Sequence, residues 1–149
     1  MLIKFIRPTL TAEAALRYCI ADHDDGGDLR RVYLVRGSPA SFLATTRRLA
    51  FRETYKSCVL GWQAGDVPTV AQIDAILNDF ERLALAGLSP ARFSLCAFLH
   101  VPQQSSREAA ATGVDLHILV ATCAGATGNH FNPPVGWTRN FRPLQANTH

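Results

Sequence analysis

Gly113-Val114-Asp115-Leu116-His117-Ile118-Leu119-Val120 is the stretch on which the fold turns. Polar and apolar residues alternate through it, as they do along a β-strand. Successive side chains of a strand take opposite faces. Asp115 and His117 therefore share one face, while Leu116, Ile118 and Val120 share the other. A second apolar run, Arg92-Phe93-Ser94-Leu95-Cys96-Ala97-Phe98-Leu99-His100, also ends in a histidine. Polar and small residues from Gln103 to Gly113 join the two runs. Paired as an antiparallel hairpin, they bring His100, Asp115 and His117 to one face. Imidazole and carboxylate both ligate divalent cations, and the carboxylate oxygen favours manganese or magnesium over zinc. The same alternation arises on any half-exposed strand. The residues alone leave a metal site and a solvated face both open.

Working outward from the hairpin, Thr69-Val70-Ala71-Gln72 fits a capping box. Ile73, Ile76, Leu77, Phe80, Leu83 and Ala84 follow at helical spacing, and Gly87 and Pro90 end the helix. Thr54 to Trp62 is an earlier strand. Before it, Ser38-Pro39 opens a helix running to about Phe51, with Arg47 and Arg48 exposed. Arg31 to Arg36 is a strand ended by Gly37. Thr9 or Thr11 caps a helix running to about Ile20, whose apolar face is Ala12, Ala15, Leu16, Cys19 and Ile20. Arg17 and Tyr18 fall off that stripe. The acidic turn Asp22-His23-Asp24-Asp25-Gly26-Gly27 follows. Leu2 to Ile6 is the first strand, broken by Arg7-Pro8, and residues 125–149 form a loop-rich tail.

The order is βαβαβαββ. It predicts one α+β domain over residues 1–149: a mostly antiparallel five-stranded sheet with about three helices, packed mainly on one face. The opposite face would carry His100, Asp115 and His117.

Composition bounds the function. At 48% hydrophobic the chain can bury a core without staples. Cys19, Cys58, Cys96 and Cys123 form no CxxC and sit in apolar runs, which suits reduced thiols of a cytoplasmic protein. No run reaches membrane-spanning length. Leu2 to Ile6, interrupted by Lys4, is too short for a signal peptide. Of the 15 basic residues most are arginine, which contacts phosphate bidentately, although GC-rich coding yields the same bias.

Taken in order, several pieces resemble a known group. They are Tyr18 on the first helix, Phe51-Arg52-Glu53-Thr54-Tyr55-Lys56-Ser57-Cys58-Val59-Leu60, Phe80-Glu81-Arg82-Leu83-Ala84-Leu85-Ala86-Gly87-Leu88, Leu99-His100, Leu116-His117-Ile118-Leu119-Val120-Ala121 and Pro133-Pro134-Val135-Gly136-Trp137. Together they look like the relaxases of plasmid mobilisation and conjugation, in the His-hydrophobic-His endonuclease superfamily. That resemblance implies a bacterial, cytoplasmic enzyme that nicks one DNA strand at an origin of transfer. A helix tyrosine attacks the scissile phosphate, leaving a 5′-phosphotyrosyl link and a free 3′-hydroxyl. Histidines hold a divalent metal that polarises the phosphate. Residue by residue, Tyr18 matches the nucleophile, His100 the lone metal histidine and His117 the second histidine of the pair. Asp115 stands where the first of that pair belongs. Single-stranded or origin plasmid DNA, and relaxosome proteins, are the partners implied. With the Asp115 departure, a second function stays open: a degenerate module that binds origin DNA or a partner relaxase without cutting.

Other residues carry alternatives. Tyr18 on its own fits a packing role at a helix edge, and Tyr55 fits the core. His23 is either solvated or, close to Tyr18, a base or alternative nucleophile. Arg30, Arg31, Arg36, Arg47, Arg48 and Arg52 could face phosphate or simply be solvated charges. Trp62 and Trp137 could stack bases or pack in the core. Glu108 could approach a metal or lie at the surface, and His130 and His149 receive no role.

Overall fold

The computed structural model describes residues 1–6, 10–48, 54–85, 93–103 and 113–122. Its elements are β1 (Leu2–Ile6), α1 (Ala12–Ile20), β2 (Arg30–Gly37), α2 (Pro39–Arg48), β3 (Lys56–Gly61), α3 (Val70–Ala84), β4 (Phe93–Pro102) and β5 (Asp115–Thr122). The expected order βαβαβαββ stands, with one five-stranded sheet ordered β1-β3-β5-β4-β2. Every neighbouring pair is antiparallel. The strands expected over 92–100 and 114–122 pair directly, with His100 opposite Asp115 and Phe98 opposite His117. β5 is the central strand.

Helix placement differs from expectation. The helices do not gather mainly on one face. α3 packs Ile73, Ile76, Leu77 and Phe80 against Leu60, Leu95, Ala97, Leu116, Ile118 and Val120. On the other face α1 and α2 bring Ala12, Ala15, Leu16, Cys19 and Phe42 against Cys96, Phe98, Leu119 and Ala121. The physical reason lies in the central strands. From Ile118 to Ala121 both parities of β5 are apolar, and from Leu95 to Leu99 both parities of β4 are apolar. A strand apolar on both faces must be covered on both. The polar residues of this hairpin mark one end of the face; the helices cover the rest.

Local chemistry sets the ends of the elements. Thr11, rather than Thr9, caps α1, its side chain accepting from the Ala14 N–H at 3.1 Å. The capping box at Thr69 and Gln72 forms both bonds. Ile20 was expected on the buried stripe of α1 but is 50% exposed, since it ends the helix. Gly37 has φ +83, and a Cβ there would lie 1.7 Å from the Leu95 carbonyl oxygen, so only glycine closes β2 against β4. Several expected features lie outside the described residues. These are Pro8 and Thr9, the end of the second helix at Phe51, Arg52, Gly87, Pro90, Glu108, Cys123, His130, Trp137, His149 and the tail 125–149.

Candidate active-site cleft

Four strands and one helix build the cleft. β5 supplies Asp115 and His117, β4 supplies His100, β3 supplies Ser57, and β2 supplies Arg30. α1 lies over them and adds Tyr18. A cavity of about 430 Å³ is lined by all six together with Tyr55 and Leu10. A second, of about 270 Å³, shares Tyr18, Arg30, His100 and Asp115 and opens on Asp24 and Asp28 of the acidic turn. The sequence-predicted residues Tyr18, His100, Asp115 and His117 are thus brought together, from positions as far apart as α1 and β5.

The rings stand edge to face. Tyr18 and His117 have centroids 6.0 Å apart, and His100 and His117 5.9 Å. His100 is 5% exposed and His117 9%. Burial holds the His100 imidazole down at about 4; the Arg30 charge adds to this, and a hydrogen bond to the Cys19 carbonyl opposes it. His117 is also held down to about 4, by burial first, then by His100 and Arg30. Both imidazoles are neutral at pH 7. Asp115, opposite Gly61 and exposed at the end of β5, has its carboxyl pushed up by partial loss of solvent, with Arg30 and Lys4 pulling it back.

Ser57 carried no role in the sequence, and Arg30 was only one of six arginines able to face phosphate. Arg30 is 8% exposed. Its Nε donates to the Ala21 carbonyl at 3.0 Å and its Nη2 to the Tyr18 carbonyl at 2.6 Å. Its guanidinium carbon lies 4.9 Å from the centre of the Tyr18 ring, a cation–π contact. Strand parity was the available signal. Arg30 shares the face of Val32, which packs with the α1–α2 cluster, whereas Arg31 shares that of exposed Tyr33. Ser57 Oγ lies 2.8 Å from His117 Nε2 and fixes that ring.

The remaining candidates separate. Tyr55 is core, its hydroxyl donating to the Leu10 carbonyl at 3.0 Å. Trp62 is buried in the α3-side core. His23 is exposed beside Asp22 at 3.2 Å. The arginines do not form one face. Arg36 points to α3, 3.9 Å from Asp74 and 3.7 Å from Glu81, while Arg47 meets Glu13 on the helix surface at 3.4 Å. Cys19, Cys58 and Cys96 are free and buried, their thiols pushed up to about 12 by burial, so they are not nucleophiles at neutral pH.

A three-ligand metal needs three lone pairs aimed at one point. The Nε2 of His100 lies 2.8 Å from the Cys19 carbonyl, which only accepts, so Nε2 carries the proton. The one remaining lone pair, on Nδ1, meets Arg30 Nη1 at 3.4 Å. A guanidinium thus stands where an ion would approach His100. Among the described residues no three His, Cys, Asp or Glu side chains are placed to hold an ion. As arranged, His100, Asp115 and His117 do not fit a shared metal.

Among the described residues, no helix is long and apolar enough to cross a membrane. No protein-family model matches the chain, and no curated protein matches it.

Proposed function

We propose that this chain is a relaxase-like, DNA-strand-transferring domain in which Tyr18 attacks a phosphodiester held in the cleft. One observation supports this reading above the others. A phenol, two neutral imidazoles, the carboxyl groups of Asp25 and Asp115 and a buried guanidinium line a single cavity, and the phenol sits on the first helix, as the resemblance to relaxases implies. A phosphoryl transfer needs an in-line nucleophile and positive charge on the non-bridging oxygens. Tyr18 Oη forms the new bond to phosphorus as the bond to the 3′ oxygen breaks. The phenolic proton leaves to a base, and the departing 3′ oxygen takes a proton from water. Asp115 is the base that suits. It stands at the open end of the cleft, whereas His100 and His117 are buried near a cation and resist a second charge.

Binding of DNA without transfer is the second reading. What favours it is Asp115 in a place where the resemblance expects histidine, and the engaged lone pair of His100. One experiment divides the two. Single-stranded oligonucleotides spanning plasmid transfer origins are incubated with the protein and resolved under denaturing conditions. A covalent adduct is expected with the natural protein and is expected to vanish in Tyr18→Phe, with binding retained, because only the attacking oxygen is removed. An undiminished adduct in Tyr18→Phe would move the nucleophile elsewhere. Binding with no adduct in either form would leave the module reading.

A further inference from the structure

We infer that Arg30 is the resident cation of the cleft, seated against His100 where a divalent ion would bind and holding the substrate phosphate in that ion's place. This deepens the phosphodiester reading above and rests on it.

An arginine at 8% exposure is out of water, and a buried charge is expensive unless paired. Among the described residues no carboxylate lies within ion-pair distance of Arg30; Asp115 feels its charge across the cleft, and Asp25 lines the same cavity. The partners of Arg30 are carbonyl oxygens of Tyr18 and Ala21 at the end of α1, and the neutral His100. The last carbonyls of a helix carry partial negative charge and accept from cations there. They orient the guanidinium without cancelling its unit charge. These contacts use three of the five N–H bonds of a guanidinium. The other two are left for a ligand facing the cavity that Arg30 lines. Planar paired donors match phosphate oxygens.

The mounting also sets register. Arg30 is bonded to the backbone of Tyr18 and lies over the Tyr18 ring. The guanidinium, carried on β2, is therefore tied to the end of α1 that bears the phenol. A phosphate on Arg30 is presented to the tyrosine on the same support, which is the positioning an in-line attack requires. His100 accepts from Arg30 and donates to the Cys19 carbonyl, so it braces the guanidinium from the β4 side.

The test is nuclear magnetic resonance on the whole chain, with inorganic phosphate and manganese as separate probes. Phosphate is expected to shift the Arg30 Nε–H signal of the natural protein. Manganese is expected to broaden the His100 and His117 ring signals only weakly. In Arg30→Met phosphate affinity should fall on the order of tenfold or more, as loss of a charge-assisted hydrogen bond implies. In the same variant manganese broadening should strengthen, because the His100 lone pair is released. Arg30→Lys, which keeps the charge but not the fork, should fall between the two.

Strong manganese broadening in the natural protein, with the Arg30 signal unmoved by phosphate, would overturn the inference. That outcome needs no variant, so a misfolded Arg30→Met does not shield the proposal. The two proposals fail separately. A phosphate shift at Arg30 with no DNA adduct sinks strand transfer and leaves the anion site. A Tyr18 adduct that requires manganese, with Arg30 unshifted, does the reverse.

Discussion

Asp115 is the residue whose chemistry differs most from what its position suggests. It shares a strand face with His117 and stands opposite His100, yet the guanidinium closes the geometry to a common ion. What the fold does to Asp115 is electrostatic. Partial desolvation raises its carboxyl above the usual value. The sign follows from linkage. A carboxyl raised on folding favours the protonated form, so its ionisation costs stability once the pH exceeds the folded value. Asp115→Asn keeps the shape and removes the charge. The variant is expected to be at least as stable as the natural protein at pH 7 by urea unfolding, while adduct formation falls steeply for want of a base. A clear loss of stability would mean that the carboxylate has a favourable partner.

At the scale of elements, α3 serves as the control for α1. It packs on the face of the sheet away from Tyr18, His100 and His117. Thr69 and Gln72 close its first turn reciprocally, at 3.1 and 2.8 Å, on an exposed surface. Thr69→Ala should lower stability by about 1 kcal/mol in urea unfolding, the usual worth of such a cap. Phosphate binding at Arg30 should not change. A shift in the Arg30 signal would show that the two faces are coupled through the sheet. This element was also the most legible in the sequence, because a capping box and a helical stripe are local signals. The pairing of His100 with Asp115 was legible for a similar reason: two apolar runs joined by a polar loop form a hairpin. The cover over that face was less so, although the unbroken apolar runs Leu95 to Leu99 and Ile118 to Ala121 carried the sign. Arg30 was not separable from Arg31, because parity along β2 selects a residue only once it is known which face holds the site. Ser57 was hidden in the same way, its role depending on how β3 registers with β5.

For the molecule as a whole, the site imposes a dependence on pH. His100 and His117 are buried neutral, each held down from 6.5 to about 4. In the unfolded chain both take up protons as the pH falls below about 6.5. In the folded protein they do so only near 4. Between these values the unfolded state binds more protons, so stability rises with pH across that window and is lost as the pH drops through it. Each histidine contributes a slope of up to about 1.4 kcal/mol per pH unit there. Asp115, raised on folding, opposes them at the acid end. The net is a protein with a steep acid limb between roughly pH 6.5 and 4 and a flat plateau above it. Urea midpoints at a series of pH values would trace the limb. In His117→Gln, which retains an amide to meet Ser57, the limb should lose close to half its slope. Anion binding gives the second arm of the measurement. Phosphate bound to Arg30 favours the folded state by mass action and makes protonation of the adjacent histidines easier by shielding the guanidinium. Added phosphate should therefore raise stability most strongly inside the acid window, and the increment should disappear in Arg30→Met. An increment of the same size in that variant would assign the effect to ionic strength rather than to the cleft.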